Sequence, residues 1–114
     1  MKIRSGFVSN SSTSCFICGT WGKDKYSIKE ITKILQEMLD FYNHLEDAKL
    51  SFNDVFEKPK KATKEDINLL AGWEVPSIRV KDKILIYGKD DNSIPYLLHG
   101  LIETKFNADR IHLG

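Results

Sequence analysis

The sequence lacks a long apolar run, a disulfide framework and the apolar core of a signal peptide. None of its apolar segments approaches the roughly 18–20 residues that are needed to cross a bilayer. Residues 1–4 begin like a signal peptide, but polar residues soon follow, so we expect a cytoplasmic protein with no membrane partner. Two cysteines among 114 residues are too few for a disulfide scaffold.

The sequence also lacks an excess of charge and the common catalytic motifs. Seventeen basic and sixteen acidic groups leave a formal net charge of +1. General nucleic-acid binders carry a basic excess, so this balance argues against a nucleic-acid partner. The motifs of serine hydrolases, P-loop enzymes, zinc peptidases and dinucleotide-binding enzymes do not occur. We therefore predict no enzyme activity and no cofactor.

The chain does contain enough apolar residues for one domain, residues 1–114. Apolar residues make up 41% of the sequence and include six Phe, four Tyr and two Trp, which suffices for one layered core. We predict an α+β (or α/β) fold. In it, two to three helices cover a small mixed β-sheet, and the chain ends in a C-terminal β-α-β unit.

The clearest element is a helix of about five turns that begins after Ser27. Ser27 and Glu30 have the spacing of a capping box, in which each side chain accepts from the other residue's backbone amide. Apolar residues then recur at intervals of three and four and form one stripe: Ile28, Ile31, Leu35, Met38, Tyr42 and Leu45. This spacing also suits a coiled coil, but the helix is short, so we expect it to pack on a sheet.

The flanking segments give a strand, a loop and a second capped helix. The bulky run Cys15–Trp21 predicts a buried strand. Residues 51–56 suit a short strand or a turn of helix, and residues 58–61 a surface loop. Thr63 and Asp66 repeat the capping spacing and open a short helix that ends at Gly72. Its predicted packed face is Ile67, Leu70 and Ala71.

The last third of the chain predicts strand, helix and strand. Residues 78–81 alternate like a half-exposed strand, residues 84–87 form a buried central strand, and the two could be arms of a hairpin. A loop at 88–93 precedes a helix that ends at Asn107, and a last strand follows. The predicted core face of that helix is Ile94, Leu97, Leu98, Leu101 and Ile102. Such a unit implies a right-handed parallel crossover.

Cys15 and Cys18 have the spacing of half a zinc ribbon or of a redox pair. A closed zinc site needs four ligands, and the three histidines lack the usual short spacing: His44, His99 and His112. Residues three apart on a strand point to opposite faces and cannot share a metal. We interpret both cysteines as buried small side chains and weak metal candidates. A redox pair, or a metal site completed across a homodimer, is the alternative.

Asp90, Asp91 and Asn92 are candidate binding residues because they follow a predicted strand at the edge where α/β sheets place ligands. A cation site needs more oxygen ligands than this run supplies, and acidic residues before a helix also suit its dipole. Elsewhere, four lysines without interleaved aromatics indicate a solvated loop or an acidic partner: Lys58, Lys60, Lys61 and Lys64.

The N-terminal segment resembles a family of small uncharacterised proteins from bacteriophages and bacteria. Residues 4–16 read RSGFVSNSSTSCF, similar to the opening R-x-G-F-V-S-N-S-S-S-S-S-F of that family, with departures at Thr13 and Cys15. Residues 92–96 and 110–114 also look like the endings of some members. The resemblance implies a phage or prophage accessory protein. It makes four residues candidates for a ligand-contacting loop, a capping loop or a site of modification: Ser9, Asn10, Ser11 and Ser12.

These observations predict a non-enzymatic phage-type accessory protein that binds a bacterial host macromolecule. A host protein is the expected partner, and inhibition of a host enzyme or defence system is the expected consequence. The alternatives are a minor virion component and a small enzyme with a site around Asp90, Asp91 and His112. The expected location is the cytoplasm of the infected bacterium, or the virion.

Overall fold

The computed structural model describes residues 13–19, 25–90 and 93–113. Six of the candidate binding residues lie outside the described residues: Ser9, Asn10, Ser11, Ser12, Asp91 and Asn92. In chain order the described elements are β1 (Thr13–Ile17), α1 (Ile28–Glu46), α2 (Phe52–Val55), β2 (Lys60–Lys61), α3 (Lys64–Ala71), α4 (Ser77–Val80), β3 (Ile84–Tyr87), α5 (Tyr96–Phe106) and β4 (Asp109–Leu113).

The four described strands form one sheet in the order β2-β3-β1-β4. Every neighbouring pair is antiparallel, so the α+β class is confirmed, but the predicted mixed sheet is wrong. β3 and β4 are each antiparallel to β1 and therefore parallel to one another. The β3-α5-β4 unit is thus a parallel crossover, as predicted, although β1 lies between its two strands. The handedness of the crossover stays a prediction.

Helices cover both faces of the sheet. On one face, which we call the α1 side, α1, α2 and α5 pack on alternate strand residues that include Phe16, Cys18 and Ile86. On the other face, the α3 side, α3 and α4 pack on the residues between them, among them Cys15 and Leu85. Successive strand residues point to opposite faces, and this alternation explains why neighbouring residues of β1 belong to different cores.

The helix predicted from the first capping box is confirmed as α1. Glu30 N–H donates to Ser27 Oγ at 3.1 Å, and Ser27 N–H donates to Glu30 Oε1 at 2.9 Å. The fully buried positions are Ile31, Leu35 and Leu39. Leu45 belongs to the predicted apolar stripe but is 56% exposed, because the stripe extends beyond the end of the sheet on which α1 packs.

Three other predictions are corrected. Residues 77–80 form the single-turn helix α4 instead of a strand or hairpin arm, since four alternating residues fit either structure. Lys60–Lys61, which was predicted to belong to a surface loop, forms a short edge strand, β2, that pairs with β3. Ala71, placed on the packed face of the second capped helix, is exposed.

The C-terminal helix α5 ends at Asn107, whose left-handed φ of 48° confirms the predicted stop. Its buried face is set differently from the prediction, because Leu97 is 42% exposed and Leu101 37%. His99 and Phe106 are buried in their place. An apolar run at consecutive positions allows two overlapping faces, and the sequence does not decide between them. Within the described ranges, no helix is long and apolar enough to span a membrane.

Candidate functional site

The hydrogen bonds of β1 alternate between its two neighbours. Gly88 N–H donates to the Ser14 carbonyl at 2.9 Å, and Cys18 N–H donates to the Ile84 carbonyl at 3.0 Å. The backbone groups of even-numbered β1 residues are therefore directed to β3. Because these groups alternate along an antiparallel strand, those of the odd-numbered residues are directed to β4.

This alternation determines which groups of β4 face outward. Cys15 is paired with Ile111, so the backbone N–H and C=O groups of Ile111 are directed to β1. Those of Arg110 and His112 then point away from the sheet. None of the strands in the described part of the chain pairs with this side of β4. β4 therefore presents two adjacent sets of backbone donors and acceptors at the edge of the sheet.

Polar side chains gather above this edge, on the α1 side. We call them the edge site: Ser14 from β1, Tyr96, His99 and Glu103 from α5, and Arg110 and His112 from β4. Arg110 Nη1 lies 2.7 Å from His99 Nδ1, and Arg110 Nε lies 3.8 Å from Glu103 Oε2. Ser14 Oγ lies 3.5 Å from His112 Nδ1. The two imidazole rings, with centroids 6.2 Å apart, connect these contacts into one cluster.

The electrostatics of the edge site favour a neutral His99 beside a cationic Arg110. Burial lowers the pKa of His99 below its ordinary value, and the charge of Arg110 lowers it further. An unprotonated Nδ1 can then accept the hydrogen bond that the guanidinium donates at 2.7 Å. Arg110 is thereby held in one orientation while 28% of its side chain stays exposed. It can offer its remaining donors to an anionic group.

Among the large apolar side chains of the described residues, that of Tyr96 is the most exposed, at 84%. Its ring lies 5.4 Å from that of His99, so it stands beside the polar cluster. Leu97 and Leu101 continue apolar surface along the same helix. An exposed aromatic group beside an arginine is the combination most enriched where protein interfaces gain their affinity.

The contact between Ser14 and His112 resembles a nucleophile and its base, but its geometry does not suit catalysis. At 3.5 Å the two atoms are beyond the usual reach of proton transfer. Ser14 is only 4% exposed, so its hydroxyl cannot approach a substrate. The arrangement suits binding better than nucleophilic chemistry.

Of the predicted acidic run, only Asp90 is described. Its N–H donates to Ser93 Oγ at 3.2 Å, Ser93 N–H donates to the Asp90 carbonyl at 3.1 Å, and Asp90 is exposed. Asp90 follows β3, whereas His112 belongs to β4, and β1 separates these two strands by about 10 Å from backbone to backbone. The predicted grouping of Asp90 with His112 therefore has no support in the described contacts.

The two cysteines lie on opposite faces of the sheet, as their spacing predicts. Cys15 belongs to the core of the α3 side and Cys18 to that of the α1 side. Burial raises the pKa of each thiol to about 12, which keeps both protonated and poorly nucleophilic. The described residues contain no group of three or more metal-ligating side chains, and the two thiols cannot bind the same ion.

A second polar cluster, the Asp66 network, lies on the α3 side. We define it by Cys15, Lys60, Thr63, Asp66 and Tyr87. Asp66 completes the capping box of α3 by accepting from Thr63 N–H at 2.8 Å, and it also accepts from Tyr87 Oη at 3.1 Å and pairs with Lys60 Nζ at 3.1 Å. Burial alone would raise the pKa of Asp66, but the bonds from Thr63 and Lys60 outweigh it and lower the pKa.

The Asp66 network also changes the interpretation of the four lysines. Lys60 is paired with Asp66 at 3.1 Å, and Lys61 lies 3.8 Å from Asp82. Two of the four charges are therefore compensated within the chain. Lys58 and Lys64 are exposed, and two separate lysines do not make a basic patch.

A cavity of about 330 Å³ opens at the other end of β3, between the sheet and the start of α1. It is lined by Cys18, Gly19, Lys25, Tyr26, Ile31, Lys81, Asp82, Lys83 and Ile84. Lys83 Nζ donates to the Gly19 carbonyl at 3.0 Å, so one of its three lysines has a structural role. Its rim includes residues next to the undescribed segment 20–24, and the cavity supports no functional assignment.

Sequence reasoning missed the edge site because its members are distant along the chain. Ser14 and His112 are 98 positions apart, and no local pattern relates them. One signal was available: Arg110 and His112 alternate on a predicted strand, which places both on one face. His99 gave no such signal in the sequence, because it lies among the apolar residues that predict the C-terminal helix.

Comparisons with protein-family models, with curated proteins and with solved structures give no match to this chain.

Proposed function

We propose that this chain is a non-enzymatic accessory protein of phage type that binds a bacterial host protein through the edge site. The partner offers an apolar contact to Tyr96 and a carboxylate to Arg110. The resemblance of residues 4–16 to small phage and bacterial proteins supports the bacterial setting. Blocking of a host enzyme or defence system is the consequence we propose for this binding.

One observation carries the proposal: Tyr96 is 84% exposed and stands next to an arginine that the fold holds in place. A solvent-exposed tyrosine ring contributes little to the stability of its own chain. At an interface the same ring is buried at a small cost in side-chain entropy. Arg110 is positioned by His99 and Glu103 before any partner arrives, so binding costs little reorganisation.

The non-enzymatic part of the proposal is supported by the state of four buried or half-buried groups, Cys15, Cys18, Tyr87 and Ser14. Both thiols have pKa values raised to about 12 by burial. Burial also raises the pKa of Tyr87, whose hydroxyl is bound to Asp66. The Ser14 hydroxyl is enclosed as described above. None of these groups is prepared for attack on a substrate.

The test is affinity capture of the tagged chain from bacteria, read by mass spectrometry, with two matched variants. Tyr96→Ala removes the exposed ring of the edge site. Ile78→Ala removes a side chain of similar exposure, 81%, from α4 on the α3 side. We expect the unsubstituted chain and Ile78→Ala to retain one bacterial protein in near-stoichiometric amount, and Tyr96→Ala to lose it.

Three outcomes would contradict the proposal. Loss of the partner with Ile78→Ala alone would move the binding surface to the α3 side. Recovery of capsid or tail proteins in infected cells would make the chain a virion component. Failure of the unsubstituted chain to retain any bacterial protein would remove the basis for a host partner.

A further inference from the structure

We infer that the partner is bound as an extended segment that adds a fifth strand to the sheet along the outer edge of β4. The segment carries acidic side chains on either side of an apolar one. This inference rests on the proposed function and deepens it, because it specifies the conformation and the chemistry of what the edge site recognises.

The backbone of β4 supplies the first part of the recognition. The outward N–H and C=O groups of Arg110 and His112 are separated by one residue, which is the repeat that an adjacent strand needs. Two such residues offer four hydrogen bonds to an incoming segment. Strand addition of this kind gives affinity through the main chain and specificity through alternate side chains.

The side chains of β4 supply the second part. Arg110 and His112 both project to the α1 side, where Arg110 meets His99 of α5. Residues of an added strand that lie opposite them project to the same side, and an acidic group there complements Arg110 in competition with Glu103, whose Oε2 lies 3.8 Å from Arg110 Nε. Ile111 projects to the α3 side and is half-buried in its core, so the residue opposite Ile111 is apolar.

A second copy of this chain is a poorer occupant of the same edge. Two β4 strands that pair about Ile111 place Arg110 of one copy opposite His112 of the other. In that arrangement neither copy offers a carboxylate to Arg110 of the other copy. An acidic segment supplies the carboxylate that a second β4 strand lacks.

The α5 helix completes the docking surface. Tyr96 and Glu103 lie on the flank of α5 that faces β4, as their contacts with His99 and Arg110 show. A strand added beside β4 would run along this flank, with its acidic side chains next to Arg110 and its neighbours near the Tyr96 ring. Strand addition thus uses both features that carry the proposed function.

The first test uses synthetic octapeptides and the amide NMR spectrum of the full chain. A peptide of alternating Glu and Val should shift the amide signals of Arg110 and His112 and slow their hydrogen exchange. A matched peptide of alternating Lys and Val should bind at least about tenfold more weakly. Equal binding of the two would overturn the acidic class. If the same amide signals shifted with increasing protein concentration in the absence of peptide, and sedimentation showed a dimer, a second copy of the chain would be the occupant.

The second test blocks the backbone. His112→Pro removes an outward N–H that β1 does not use, and prolines are tolerated at such edge positions. His112→Ala removes the same imidazole but keeps the N–H. We expect His112→Pro to bind the Glu-Val peptide at least about tenfold more weakly than His112→Ala. Should His112→Pro fail to fold, N-methylation of alternate peptide amides applies the same block from the other strand.

These outcomes separate the inference from the proposed function. Retention of the bacterial partner by His112→Pro, together with its loss in Tyr96→Ala, would leave the binding function in place and overturn strand addition. Both proposals require that His112→Pro and Tyr96→Ala lose the bacterial partner while His112→Ala retains it. Retention of the bacterial partner by both His112→Pro and Tyr96→Ala would overturn strand addition and the proposed function together.

Discussion

The edge site and the Asp66 network lie on opposite sides of one sheet, and each contains charged groups joined by short hydrogen bonds. They differ in how completely those groups are enclosed. The Asp66 side chain is 9% exposed, and its carboxylate accepts from Thr63, Tyr87 and Lys60. In the edge site 28% of Arg110 remains exposed and His112 lies open to solvent.

This difference indicates what each cluster contributes. Enclosure makes every hydrogen bond of Asp66 costly to lose, because an unpaired buried carboxylate has no water to replace its partners. Exposure makes the bonds of Arg110 cheap to exchange, because water or a ligand can replace them. The Asp66 network therefore connects α3 to strands β2 and β3 of the sheet, whereas the edge site keeps its charge available for another molecule.

Removal of the carboxylate at the centre of the enclosed cluster should have the largest effect on stability. Asp66→Ala deletes the carboxylate half of the α3 capping box and leaves Tyr87 and Lys60 without their partner, so we expect a loss of about 3 kcal/mol in the free energy of unfolding. Urea denaturation followed by circular dichroism measures it. Asp54→Ala, which removes the exposed carboxylate of the α2 capping box, is the control and should cost clearly less than Asp66→Ala. Equal losses would contradict the comparison.

A smaller change in the same network should have an intermediate effect. Tyr87→Phe keeps the ring but removes the hydroxyl that donates to Asp66 at 3.1 Å. We expect a loss of about 1 kcal/mol, since the carboxylate retains its bonds from Thr63 and Lys60. Thermal and urea unfolding of the variant check this value. A loss as large as that of Asp66→Ala would mean that the other bonds contribute little.

The corresponding change in the edge site should affect binding far more than stability. Arg110→Ala breaks a half-exposed ion pair and one hydrogen bond, for which we expect a loss of less than about 1 kcal/mol. Capture of the bacterial partner should nevertheless fall to background. A stability loss comparable to that of Asp66→Ala would show that the edge site is as structural as the Asp66 network.

Acidification should weaken the two clusters in different pH ranges, and these changes in stability should be the smallest of the expected effects. The pKa of His99 is lowered from its ordinary value of 6.5 by burial and by the nearby charges of Arg110 and His112, against an opposing effect of Glu103. The unfolded chain therefore binds more protons there, and stability falls as the pH drops below about 7. Asp66, lowered from 3.8, loses its contribution only below that value.

Urea midpoints measured from pH 8 to pH 3 test this separation. The His99→Gln variant should flatten the change between pH 7 and pH 5 and leave the loss below pH 4 intact. An unchanged upper slope in that variant would show that His99 is not the group responsible. The lower loss is shared with other carboxylates of lowered pKa, Glu30 and Asp54.

Local sequence rules predicted the parts of this fold that are stabilised locally. The capping residues Ser27 and Thr63 marked the starts of α1 and α3, because a cap and its amide lie within four residues of each other. Asn107 marked the end of α5 by the same kind of short-range geometry. The buried run at residues 84–87 was sufficient for β3, since it is enclosed on both faces.

The rest depended on contacts that no local pattern contains. Residues 78–81 alternate as a strand would, but the sheet has no position for them, and α4 forms instead. Leu97 and Leu98 fit the core equally well in sequence, and the packing of α5 on Phe16 and α1 decides between them. The edge site combines three separate segments, and its geometry depends on the insertion of β1 between β3 and β4.

That insertion has a consequence for the order in which the chain can assemble during synthesis. β1 leaves the ribosome first among the described strands, yet its partners in the sheet begin at Ile84 and end at Leu113. At about 5–20 residues per second, β1 stays without its last partner for on the order of 5–20 s. Contacts this distant along the chain also slow folding. The sheet therefore cannot be completed before β4 has been synthesised, and until then β1 lacks its partners on both sides.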